Sequence, residues 1–265
     1  MDLEIISQLP SQPADLPPVL FIHGAFTDAW CWDEHFLPYF AEQGYPSYAL
    51  SLRGHGKSKG ELLTASLNDY LQDVLQVVES FEKKPILIGH SMGGMVVQKY
   101  LANQHPAQAA ILMASPPPSG LMSSISYLTI TQPVLAWQLG MMFGTGYASA
   151  QTLQQALVSR ELNSEEIQRY TPHIQNESWR ILWDLSMGDL PLPPRRSNVP
   201  MLVLGAGKDA FFHPLTSLWT AQCYGANHHT FQHLAHAMML ESDWQTVADF
   251  SLQWLDRKLL LSKNV

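Results

Sequence analysis

Five short, unbroken apolar runs, each bounded by proline, glycine or a polar turn, restrict the fold of this chain more than any other feature. Val19-Leu20-Phe21-Ile22 stands between Pro18 and His23, and similar runs occupy Ser47 to Leu52, Pro85 to Gly89, Ala109 to Ala114 and Met201 to Gly205. Runs without polar alternation fit strands covered on both faces. Between them lie helical patterns: Ser66 to Phe81 sets Val74, Leu75, Val77, Val78 and Phe81 on one stripe, and Met92 to Asn103 does the same with Val96, Val97, Tyr100 and Leu101. Strand and helix alternate, which predicts an α/β fold with a mostly parallel central sheet and helices on both faces.

The alternation stops at Ser115-Pro116-Pro117-Pro118-Ser119-Gly120 and resumes after Pro191-Leu192-Pro193-Pro194-Arg195-Arg196. Residues 116–196 therefore read as an inserted helical lid, with 1–115 and 197–265 forming one core domain. Within the lid a helix is expected from Asn163, with Glu166 closing a capping box, and another around Trp179 to Met187. Trp137, Met141, Met142, Phe143, Trp179, Trp183 and Met187 make the lid rich in large apolar groups. Most are expected in the lid's own core and its seat; Trp137 and Trp183, with Phe26 from the core, are the candidates for lining a substrate pocket.

A chain of 265 residues with 46% hydrophobic and 14% charged residues has enough apolar mass for one large domain. Its net charge of -8 provides no basic field for nucleic acid or anionic lipid. The acidic start Met1-Asp2-Leu3-Glu4 lacks the basic and apolar regions of a secretory leader, and no apolar stretch reaches membrane-spanning length. Cys31 and Cys223 form no CxxC pair, which fits a reducing compartment and a cytoplasmic location.

Gly89-His90-Ser91-Met92-Gly93 matches G-x-S-x-G and stands where that motif works, directly after a buried-type strand and before a helical pattern. A serine hydroxyl needs a base, and neutral imidazole suits that task near pH 7. In the chain order that accompanies this elbow the acid follows the serine and the histidine comes last. His236, in a small-residue turn after the probable last strand (Thr230 to Gln232), is the first candidate and His233 the second; His228 and His229 read as a polar strand start or a surface pair. Asp209 follows the run Met201 to Gly205 by four residues, at the sheet edge that bears Ser91, and fits the acid that orients the base. Oxyanion donors are expected from the backbone N–H groups of Met92 and Ala25, the latter in His23-Gly24-Ala25-Phe26. His23 reads as a structural residue, and Trp30 and Trp32 as candidates for either the pocket entrance or packing. No H-E-x-x-H occurs, so neither a metal nor another cofactor is expected.

Taken together, His23-Gly24-Ala25, Leu52-Arg53-Gly54-His55-Gly56-Lys57-Ser58, the elbow, Gly205 to Asp209 and Ala235-His236 resemble the α/β-hydrolase superfamily, in its capped serine esterase and cofactor-free peroxidase-like branch. The resemblance spans the chain except the lid. Two positions depart from it: Ser51 stands where relatives often carry an acid, and Ala235 where they carry glycine. The expected partner is a small to medium hydrophobic ester, cleaved through an acyl-enzyme on Ser91. Lactonase, thioesterase, acyltransferase, perhydrolase, carbon–carbon hydrolase and hydroxynitrile lyase chemistry share the same triad, and a ligand sensor on the same scaffold is the reading of another class. Two apparent nucleotide motifs fail: Gly56-Lys57-Ser58 lacks the upstream glycine of a P-loop, and Phe211-Phe212-His213-Pro214 interrupts the helix that Gly205-Ala206-Gly207 would need.

Overall fold

The computed structural model describes residues 1–12, 15–145, 152, 156–159, 163–191 and 198–262. Seven strands form one sheet in the order β1-β3-β2-β4-β5-β6-β7. They are β1 (Ile5–Gln8), β2 (Val19–Ile22), β3 (Ser47–Leu50), β4 (Ile86–His90), β5 (Ala109–Met113), β6 (Met201–Ala206) and β7 (Asn227–Phe231). Only β1 runs antiparallel, against β3. The parallel register aligns Val19 with Ile86 and Ile86 with Ala109, so β4 lies at the centre.

Strand β2 shows why the unbroken runs become strands. Val19 and Phe21 enter a core layer with Trp32, Phe36, Phe40 and Leu255, whereas Leu20 and Ile22 enter the opposite layer with Val74, Val97 and Tyr100. Side chains alternate across the sheet, and both faces are covered, so both sets are apolar. The helix Leu67–Val78 supplies one cover; its Ser66 cap and Asp69 form a capping box. The helix Met92–Ala102 follows β4. The edge strand β1 carries no such pattern, because it is largely exposed.

Between β5 and β6 the chain leaves the sheet for the helices Met122–Thr131, Pro133–Thr145, Ser164–Tyr170 and Trp179–Trp183. Asn163 and Glu166 make the expected capping box. The helix expected over Trp179 to Met187 changes pitch: it widens to a π-turn over Asp184–Gly188. Buried Asp184 there accepts from the Leu67 N–H (3.0 Å) and from Arg180 Nε (2.9 Å), tying this segment to the start of a core helix. The proline hinge at Leu192-Pro193-Pro194-Arg195-Arg196, like Pro13 near the amino terminus, lies outside the described residues. Among the described residues no helix is long and apolar enough to cross a membrane.

Candidate active site

The loops that leave the carboxyl ends of β2, β4, β6 and β7 meet at one crevice, beside the point where strand order reverses between β2 and β4. Ser91 follows β4 with φ 49° and ψ -120°, a strained conformation for a non-glycine residue. The turn is tight because the adjoining helix is pressed against the sheet. A Cβ on Gly93 would stand 2.3 Å from the Ile22 carbonyl oxygen and 2.5 Å from that of His23. Glycine is the residue that permits this approach.

After β6 and β7 the two loops are stitched together by Gly207 N–H to Phe231 C=O (2.9 Å) and Lys208 N–H to Leu234 C=O (2.8 Å). The result sets His236 Nδ1 2.9 Å from Asp209 Oδ2, with both side chains buried. The other carboxylate oxygen of Asp209 accepts from the Phe211 N–H (2.8 Å) and Phe212 N–H (3.1 Å). Each oxygen thus has its own task, and the carboxylate has no freedom to swing. Phe211 and Phe212 also flank the imidazole, with ring centroids 4.5 and 5.6 Å away.

Ser91 and His236 line one cavity of about 180 Å³, together with Ala25, Phe26, Met92, Trp30, Leu121, Leu139, Leu182 and Leu185. Among the described residues no hydrogen bond joins the Ser91 hydroxyl to the His236 ring; such contacts are often long before substrate arrives. Neither the Ala25 nor the Met92 N–H is taken by a hydrogen bond among these residues. An unpaired N–H at Met92 follows from its place as the first helical residue, where no carbonyl lies one turn back.

The expected pocket aromatics divide. Phe26 lines the cavity, but Trp137 and Trp183 do not: they are 71% and 56% exposed. Helical phase explains the correction. Leu139 faces the cavity and Leu135 is buried, so Trp137, two residues from each, points away; Leu182 and Leu185 likewise take the inner face and leave Trp179 and Trp183 outside. Met141 and Met187 are exposed as well, so these large groups do not form an inner core for the segment. The side chains of Met142 and Phe143 lie outside the described residues. Trp30 lines the cavity and stacks on His173 (4.3 Å), whereas Trp32 is packed on Phe21.

The remaining histidines have separate places. His23 accepts from the Leu52 N–H at Nε2 (3.0 Å) and donates from Nδ1 to the Gly24 carbonyl (2.7 Å), and burial followed by the nearby His55 holds it well below the ordinary imidazole range. His90 donates from Nε2 to the His236 carbonyl (3.0 Å), and among the described residues its buried Nδ1 has no partner; burial, then His236, keeps it neutral. His233 is exposed against Asp243. His228 and His229 belong to β7, the first bonded to Ser217 (2.9 Å) and the second stacked on Phe250 (4.3 Å). At Ser51, where the resemblance implies an acid, the hydroxyl donates to Glu4 (2.8 Å), a carboxylate from the residue before β1.

His55 and Glu177 form a pair that the sequence gives no sign of, since 122 residues separate them. Fully buried His55 directs Nε2 at Glu177 (3.1 Å) and Nδ1 at the Arg53 carbonyl (3.2 Å), so both nitrogens must donate. Burial opposes the imidazolium, but Glu177 outweighs it and the His55 pKa is raised. The other facing groups are His23, kept neutral by burial, and Tyr70, whose hydroxyl burial and Glu177 push upward. Stabilisation by this pair is complete below the unfolded-state value of about 6.5 and is lost as pH rises through the raised folded value. The melting-temperature advantage of the wild type over His55→Asn is therefore expected to shrink as pH rises above about 6.5. A pH-independent advantage would count against the charged pair.

A sequence model of the alpha/beta hydrolase family matches residues 19–250. A non-heme chloroperoxidase from Burkholderia pyrrocinia is 35% identical over 111 residues, 40% of this chain and 40% of that protein. A bifunctional esterase/perhydrolase from Acinetobacter calcoaceticus is 33% identical over 109 residues, 40% of this chain and 39% of that protein. These matches thus span about two fifths of each relative's length. Among solved structures, an esterase from Exiguobacterium antarcticum superposes with a TM-score of 0.70 at 17% identity, covering 96% of this chain and 95% of its own. The fold, the position of Ser91 at its elbow and a family match across nearly the whole sheet lead to one assignment: the chain belongs to the alpha/beta hydrolase family.

Proposed function

We propose that this protein is a serine carboxylesterase in which Ser91 is the nucleophile, His236 the general base and Asp209 the group that orients it. The observation that carries the reading is the buried 2.9 Å pair of His236 and Asp209 opening on the same cavity as the strained Ser91. Ser91 Oγ adds to the ester carbonyl while its proton passes to His236 Nε2. The carbonyl electron pair becomes an oxyanion held by the Ala25 and Met92 N–H groups. His236 then protonates the departing alcohol, and water, deprotonated by the same ring, releases the acid. Residues 116–196 act as a cap that closes the cavity, and the core consists of 1–115 and 197–265.

The substrate is a small to medium hydrophobic ester. The lining residues Leu121, Leu139, Leu182, Leu185, Phe211 and Phe212 surround about 180 Å³, and among the described residues no lysine or arginine lines it. An apolar cavity of about 150 Å³ holds benzene, so one group of that size is the expected fit. The test is a p-nitrophenyl ester series from acetate to laurate with fluorophosphonate labelling. Turnover should peak at butyrate to hexanoate, and both turnover and labelling should vanish in Ser91→Ala. Turnover that survives Ser91→Ala would remove the assignment.

The named activity of the Acinetobacter relative favours one second reading, perhydrolysis. Hydrogen peroxide in place of water would attack the acyl-enzyme carbonyl, giving a peroxyacid and regenerating the Ser91 hydroxyl. Peroxyacid formed from ester and peroxide, and absent in Ser91→Ala, distinguishes it.

A further inference from the structure

Glu177 comes from the helical segment between β5 and β6, but its carboxylate is buried beneath the loop that follows β2. Four donors converge on it. Oε1 accepts from the Tyr70 hydroxyl (2.8 Å) and the Ser178 N–H (2.7 Å); Oε2 accepts from His55 Nε2 (3.1 Å) and the Phe26 N–H (3.4 Å). Two residues earlier, the Gln175 N–H donates to the Phe26 carbonyl (2.9 Å). The Gln175 side chain accepts from the Gly56 N–H (3.0 Å) and donates to Asp28 (2.8 Å). One short segment therefore grips Phe26 at both its N–H and its C=O. The grip is needed, because Phe26 sits at φ 65°, left-handed backbone that an aromatic residue adopts at a cost of about 1–3 kcal/mol unless its surroundings enforce it.

The Phe26 N–H shares a peptide plane with the Ala25 carbonyl. Holding that plane restrains ψ of Ala25, one of the two backbone rotations that set where the Ala25 N–H points. We propose that Glu177 is a positioning residue of the esterase site: its carboxylate holds Phe26 and so aims the Ala25 N–H at the developing oxyanion. The proposal rests on the esterase reading of Ser91. It also accounts for the residue type. All four partners donate, and an ionised carboxylate has acceptor positions for four, whereas an amide accepts at one atom and would turn its NH₂ toward two donors.

The experiment compares two inhibitors of p-nitrophenyl butyrate hydrolysis by wild type, Glu177→Gln and Tyr70→Phe. A hexyl trifluoromethyl ketone adds to Ser91: the Ser91 oxygen bonds to the ketone carbon, its proton passes to His236, and the carbonyl pair becomes an oxyanion. Hexanol fills the cavity without creating that charge. Glu177→Gln is expected to weaken the ketone about tenfold or more while hexanol inhibition stays within about twofold, because a misaimed donor affects only the oxyanion. Tyr70→Phe, which loses one anchor of the carboxylate, should show a smaller change of the same kind. Equal weakening of both inhibitors, as from a collapsed cavity, would overturn the proposal, as would no change in either. If Glu177→Gln does not fold, Tyr70→Phe decides alone, and unchanged ketone affinity overturns the proposal. Failure of the wild type to capture the ketone at Ser91 would instead remove the esterase reading, and this inference with it.

Discussion

Asp209→Asn is expected to lower kcat for p-nitrophenyl butyrate by about 10⁴-fold with little change in melting temperature. The size of the effect follows from the division of labour between the two carboxylate oxygens. Oδ1 accepts from the Phe211 and Phe212 N–H groups, and Oδ2 accepts from His236 Nδ1. An amide at this position keeps its oxygen toward the two backbone donors and must present its NH₂ to His236. Nδ1 then becomes the acceptor, and the ring proton moves to Nε2, the nitrogen assigned to receive the Ser91 proton. The imidazole stays in place in the wrong tautomer. A variant that retained more than about a tenth of wild-type kcat would show that Asp209 does not govern the base.

Gly93→Ala is expected to destabilise the protein by about 3 kcal/mol or more, or to abolish soluble expression. The new methyl carbon would lie 2.3 Å from the Ile22 carbonyl oxygen and 2.5 Å from the His23 carbonyl oxygen. Both obstacles are backbone at the end of β2, so relief requires moving the elbow helix off the sheet. Gly140→Ala supplies the control. Among the described residues nothing lies within 4 Å of a Cβ there, and the position is inside the helix Pro133–Thr145. Alanine should stabilise that helix by up to about 1 kcal/mol. Urea denaturation of the two variants reads opposite signs, and a stable Gly93→Ala would contradict the close approach of helix and strand at the elbow.

The same contrast between local and distant causes separates what was legible in the sequence from what was not. The apolar runs at Val19, Ser47, Ile86, Ala109 and Met201 announce strands because both faces of the sheet are covered, and that condition leaves its mark on consecutive residues. The G-x-S-x-G turn is legible for a similar reason, since the glycines answer to steric demands within the turn and at its immediate neighbours. Strand β1 leaves no such mark, because an exposed edge strand needs no apolar run. The direction of Trp137 and Trp183 was also hidden, because a helix that packs on one side determines its inner face only when its neighbour is in place.

The strand and helix alternation, the elbow at Ser91 and the late positions of Asp209 and His236 along the chain are all readable in the residue order. Which leucines face the cavity, that Ser51 donates to Glu4, and that Glu177 lies against His55 and Phe26 depend on how distant segments pack. The difference is one of range. Burial period and the contact of Gly89 with Gly93 act between residues a few positions apart, whereas a carboxylate that meets partners 107, 122 and 151 residues away is specified by how the layers pack.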